Sequence, residues 1–259
     1  MNTNTDRIQC KICGSYNTKK DGKHKGIQKW ACKDCGKNYL DNNASPGMRT
    51  TREHIEQALR LYYQGTSVNK IRIHLQQKYN NSYSVSTIYK WIVKYSNSVP
   101  KNVSDFHPKV SDSWVIDETP LIISGKQLWV WDVIDTKTHF LLASSVLIWR
   151  NALEFTVLFE KATRKALKIP KMVIADNLIN YLQEMNADIK VEKGGRELEE
   201  FHRVFQWRNY LMKDLKRIDK AIEFDNGWVT YYNHFRKSES LGNKSPIDLA
   251  ILRPSVQNI

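Results

Sequence analysis

A doubled cysteine pair limits what this chain can fold into more than any other feature. Cys10-Lys11-Ile12-Cys13-Gly14 and Cys32-Lys33-Asp34-Cys35-Gly36 repeat one CxxCG unit, with 18 residues between Cys13 and Cys32. The glycine after each pair lets backbone N–H groups turn toward the sulfurs. Two such knuckles supply four thiolates to one tetrahedral Zn²⁺, a closed structural site with no open position for chemistry. A redox dithiol, or cysteines that are merely buried, are the alternatives. Residues 8–40 hold too few large apolar side chains for a core of their own, so ligation has to replace one. The start, MNTNTDRIQC, has no apolar leader, and no run of about 18 apolar residues occurs. The expected location is therefore the cytoplasm, with the nucleoid, where thiols stay reduced and no membrane is involved.

Charge points to the partner. Forty Lys and Arg against 27 Asp and Glu leave +13, and a surface that positive repels itself unless an anion such as nucleic acid covers it. Lys19, Lys20, Lys23, Lys25 and Lys29 lie between the knuckles, within reach of phosphate.

Breaks in pattern divide the chain into a zinc ribbon (1–45), a helix-turn-helix (50–97), a linker (98–112) containing Pro100 and Pro108, and an α/β domain (113–259) with a helical tail. In the second unit Ile55, Ala58, Leu59, Tyr62 and Tyr63 recur at helical spacing up to Gly65. Thr66 or Ser67 can cap a second helix carrying Val68, Ile71 and Leu75. Ser84 can cap a third, with Val85, Ile88, Ile92 and Tyr95 inward. Its outer face shows Ser86, Thr87, Lys90 and Lys94, the layout of a recognition helix: short polar groups for base edges, then lysines for phosphate. A three-helix bundle with a solvated charged face would show the same pattern.

From Trp114 the pattern becomes βββ followed by αβαβα. Two apolar strands end in acids, Trp114–Asp117 and Lys171–Asp176. Burying a carboxylate there is costly without a compensating cation, and two such acids on one sheet can meet to hold divalent metal. Either acid could instead cap the turn that follows it.

Beyond these physical cues, the residues Trp114–Thr119, Leu128–Ala143 (LWVWDVIDTKTHFLLA), Val173–Asp176, Leu198–His202 and Gly227–Pro246 (GWVTYYNHFRKSESLGNKSP) resemble the DDE transposases of bacterial and archaeal insertion sequences. Those proteins carry the same N-terminal order of ribbon and helix-turn-helix. The resemblance implies an RNase H-like, integrase-type mixed sheet with flanking helices. It also implies that Asp117, Asp176 and Glu199 hold two Mg²⁺ (or Mn²⁺) ions for strand cleavage and transfer. Double-stranded DNA (terminal inverted repeats and target) is the implied partner, and a homodimer or larger assembly joins two ends. His202, Arg203, Lys213 and Arg217, on the helix that starts near Glu199, would face the DNA. Four features depart from that family: 22 residues separate Asp176 from Glu199, where about ten more are usual, and Asn177, Gln206 and Lys237-Ser238 replace its common residues. They leave a DNA-binding form without cleavage as the alternative.

Overall fold

The computed structural model describes residues 8–24, 26–41, 50–97, 106–176, 188–194 and 196–251. The expected short helix over 178–186 lies outside these residues.

The first unit is a three-stranded antiparallel sheet of β1 (Thr18–His24), β2 (Ile27–Cys32) and β3 (Asn38–Leu40). Its apolar content is small: Trp30 and Tyr39 pack against Cys10 and Cys32. Three helices follow: α1 (Arg52–Tyr63), α2 (Val68–Tyr79) and α3 (Val85–Asn97). Gly65 ends α1 at φ +86°, where a Cβ would lie 2.9 Å from Leu211. Ser84 caps α3 by accepting the Thr87 N–H at 3.1 Å. Val85 is exposed rather than buried, and Trp91 takes the inward place. The face read from periodicity is thus shifted by part of a turn, because Trp91 packs edge-on to Tyr83 in the preceding loop.

The third unit is a five-stranded sheet in the order β6-β5-β4-β7-β8, comprising β4 (Ser113–Ile123), β5 (Lys126–Asp135), β6 (Leu141–Leu147), β7 (Met172–Ile174) and β8 (Lys190–Glu192). Only β5 runs against its neighbours. Strand alternation gives β4 two buried faces. Trp114 and Ile116 pack with Phe155, Phe159 and Ala162 of α4 (Ala152–Ala166). Val115 packs on the other side with Phe201 and Phe205 of α5 (Arg196–Met212) and Trp228 of α6 (Ile218–His234). Asn151 caps α4 by accepting the Glu154 N–H at 3.0 Å. Asn233 of α6 clamps β6 through two bonds of 2.9 Å to the Leu141 backbone.

The tail motif has a local reason for its residues. Gly242 sits at φ +63° after a short 3₁₀ turn (Glu239–Leu241), Ser238 bridges Lys244, and Asp248 accepts from the N–H and hydroxyl of Ser245 to start α7 (Pro246–Ile251). The three-helix unit is not separate from this domain. Ile55, Leu59, Ile88, Trp91 and Ile92 share one buried cluster with Phe205, Trp228, Tyr231 and Tyr232, and Tyr63 stacks on Tyr231 at 5.3 Å.

Candidate active site and metal centre

The four cysteines converge. Cys10 and Cys35 sulfurs lie 3.8 Å apart, those of Cys13 and Cys32 lie 3.6 Å apart, and all four ligand atoms fall within 4.8 Å of one another. Gly14 and Gly36 adopt φ of +79° and +68°, and the Ile12 N–H points at the Cys10 sulfur at 3.4 Å. Soft thiolates in a tetrahedral set fit Zn²⁺. Of the lysines between the knuckles, Lys29 pairs with Asp21 at 2.8 Å and Lys20 lies over Trp30. Lys25 lies outside the described residues.

The acids of the sheet are arranged by its register. β4 and β7 pair in parallel as Ser113↔Met172, Trp114↔Val173 and Val115↔Ile174. Two further residues along each strand, the same register sets Asp176 beside Asp117. Asp117 lies on the Val115 face, under α5, whereas its neighbour Glu118 points to the opposite face and binds Arg150 through two contacts, one of 2.9 Å. Asp176 is exposed at its strand end, against Gly194, whose Cβ would meet the carboxylate at 3.3 Å.

Helix α5 runs alongside β4 in the same direction. His202 Nδ1 meets Asp117 at 3.0 Å, and seven residues on, Asn209 meets the Pro120 carbonyl at 3.5 Å. The spacings agree, since seven helical residues and three strand residues each rise about 10 Å. Glu199 lies one turn before His202 on α5, with its side chain exposed. Among the described residues only the four cysteines bring three or more ligand atoms within 4.8 Å of one another, so Asp117, Asp176 and Glu199 do not form such a cluster.

His202 reaches Asp117 directly, so this side of α5 meets β4. One expectation needs correction. Helix α5 stops at Met212: Lys213 lies in the turn beyond, over the Tyr210 ring at 3.8 Å, while Arg217 is the residue before α6 and pairs with Asp219 at 2.9 Å. Arg203 is exposed on α5, and Ser86, Lys90 and Lys94 are exposed on α3. Thr87 is half-buried, and the Ser86 and Thr87 hydroxyls both bond Ser84 at 2.9 Å.

Next to Asp117 lies a charge cluster that sequence reading did not anticipate. Arg208, fully buried, donates to both oxygens of Asp132 at 2.8 and 2.7 Å and approaches Asp225 at 3.1 Å, with Ser144 completing the set. Its signal was present: Arg208 stands in the apolar series Phe201, Phe205, Met212, where a lone cation needs a buried acid. Asp132 is the cross-strand partner of Asp117. Burial pushes the Asp117 carboxyl up to about 6, the charge of Asp132 adds to this, and His202 opposes it.

The sign of that shift gives a prediction. The folded carboxyl holds its proton more tightly than the unfolded one, whose value lies near 3.8. The group therefore costs stability once pH rises through about 6 and costs nothing below about 4. A shift of this size corresponds to ~3 kcal/mol. In chelator-treated protein, Asp117→Asn is expected to raise the urea midpoint at pH 8 and to lose that gain by pH 4. A gain that is the same at both pH values would exclude the charge as its cause.

A mixed sheet in this order, with Asp117 within β4, Asp176 just beyond the adjacent parallel β7 and helices on both faces, fits an RNase H-like domain. Residues 111–238 match the family model of the DDE domain, and in this stretch the chain belongs to the DDE transposases. Similar solved structures include the HTLV-2 integrase catalytic core domain in complex with magnesium, in its trimeric form. It is 18% identical with a TM-score of 0.43, over 56% of this chain and 99% of that one. A second is the simian T-cell lymphotropic virus intasome, at 11% identity and a TM-score of 0.47, over 78% of this chain and 77% of that one. No curated protein matches the sequence. No helix among the described residues is long and apolar enough to cross a membrane.

Proposed function

We propose that the chain is the transposase of an insertion sequence. In this reading it binds the terminal repeats and catalyses divalent-metal-dependent DNA cleavage and strand transfer through Asp117, Asp176 and Glu199. The observation that supports the reading is the parallel pairing of β4 with β7, which ends at Val115 and Ile174, two residues before Asp117 and Asp176, within the stretch that matches the DDE domain. Carboxylates are hard oxygen donors and suit Mg²⁺ or Mn²⁺, and a buried Asp117 charge lacking full compensation gains from a cation. When bound, two such ions activate water or a 3′-OH and stabilise the leaving oxygen. The protein's own part is placement. His202 orients Asp117, Arg208 holds Asp132 and so keeps the charge beside Asp117 fixed, and Arg203 and Lys213 meet the DNA backbone. The exposed face of α3 (Ser86, Lys90, Lys94) and the ribbon grip the repeat, and two chains assemble to hold two ends together. The test is cleavage of an end-containing oligonucleotide by the purified chain with Mg²⁺ or Mn²⁺. Binding without cleavage under either ion would favour the non-cutting form.

The ribbon is assigned one structural Zn²⁺ on Cys10, Cys13, Cys32 and Cys35. Cys32→Ser is expected to lose the ~1 equivalent of zinc and much of the DNA affinity while the far-ultraviolet signal of the remaining domains persists. A stoichiometric disulfide in the native protein would overturn the assignment.

A further inference from the structure

A cleft of about 620 Å³ opens between α1, α5 and α6, beside the acids but separate from them. Four cations line it, Arg60, Arg203, Arg236 and Lys237, against a single acid, Glu200. None of the four forms an ion pair among the described residues. Its wall is aromatic: Trp207, 48% exposed and stacked on Tyr210 at 5.3 Å, and Tyr231. Arg236 and Lys237 come from the tail motif; Arg236 lies over the Tyr232 ring at 5.4 Å, and neither joins an ion pair among the described residues.

The lining selects a ligand class. Cations outside any ion pair in a concave site call for an anion, and the exposed indole of Trp207 calls for a flat aromatic body. A duplex is too wide for such a cleft, whereas one unpaired nucleotide supplies both parts. The position selects its source. Glu199, Arg203 and Trp207 stand one turn apart along the same helix, so a strand whose phosphate lies at Glu199 passes directly over the cleft. We infer that this cleft receives an unpaired base of the DNA strand next to the cleavage position. The base would stack on Trp207, with its phosphate held by Arg203 and Arg236. The inference deepens the transposase reading and rests on it.

Full-length protein in chelator, where no cleavage occurs, is titrated with two fluorescent probes of identical duplex sequence. One is blunt, and the other carries a three-nucleotide single-stranded extension with 2-aminopurine. The extended probe is expected to bind about tenfold more tightly, as one base–aromatic stack allows, with quenched 2-aminopurine. Trp207→Ala and Arg236→Gln should each erase the difference and the quenching while leaving blunt-duplex affinity intact. Equal affinity for both probes, or a difference that survives in both variants, would overturn the inference. So would a matching loss on blunt duplex, or displacement of the extension by free deoxynucleotide as readily as by extended DNA. Because none of these readouts needs cleavage, a chain that fails to cut can still pass this test.

Discussion

Replacing Glu199 by glutamine is expected to abolish metal-dependent cleavage while leaving DNA binding unchanged. Glu199 and Glu200 are adjacent acids on α5, and the structure separates their surroundings. Glu199 precedes His202 by three residues, and His202 is in contact with Asp117. Residues three apart on a helix share a side, so Glu199 shares the side of α5 on which His202 meets Asp117. Glu200 instead lines the cleft beside Arg203 and Arg236. Loss of an outer partner of a metal ligand costs about 10–100-fold, and loss of a ligand itself should exceed that range. Single-turnover cleavage by Glu199→Gln should thus fall more than a hundredfold below wild type, in parallel with Asp117→Asn and Asp176→Asn. Glu200→Gln should retain most activity. Survival of cleavage in Glu199→Gln together with its loss in Glu200→Gln would reverse the assignment.

The second large effect is on stability. Arg208→Met should destabilise the catalytic domain by about 3–5 kcal/mol, the usual consequence of removing one partner from a buried ion pair. Methionine nearly fills the space, so little of the loss comes from a cavity. What remains is a pair of buried carboxylates, Asp132 and Asp225, with no guanidinium between them. Burial already raises Asp225 above the usual carboxylate range, with Arg208 opposing that rise. Without Arg208 nothing opposes that rise, so Asp225 should hold its proton more tightly still, and the variant should recover more stability at low pH than the wild type does. Denaturant unfolding at pH 8 and pH 5 measures both effects. A loss below about 1 kcal/mol at pH 8 would show that the cluster is not a structural keystone.

Much of this was legible in the sequence because it is written in short-range pattern. The CxxCG repeats forecast the converging sulfurs, and Gly65 and Ser84 marked real helix boundaries. The illegible parts are those decided by neighbours far along the chain. Asp117 read as the end of an apolar strand, whereas β4 runs on to Ile123 because its far half pairs with β5. Lys213 and Arg217 continue a helix-compatible composition past Met212, and the break there depends on packing of Leu215 and Ile218 under the β4–β5 hairpin. Arg208 stood out as a cation in an apolar series, but its partners Asp132 and Asp225 lie far along the chain and only the fold brings them opposite. The tail motif was recognisable but its physics was not. Asn233 acts on Leu141, 92 residues earlier.

The aromatic seam joining α1 and α3 to α6, with Tyr63 on Tyr231 and Phe224 against both Tyr62 and Tyr63, has a geometric consequence. In the proposed function, the helices that would read a repeat and the acids that would cut it are fixed to one another, so the molecule would act as a caliper. The number of base pairs between the recognised sequence and the broken bond would then be set by the protein's own dimensions, and moving the recognised sequence along the DNA should carry the cut with it, base pair for base pair.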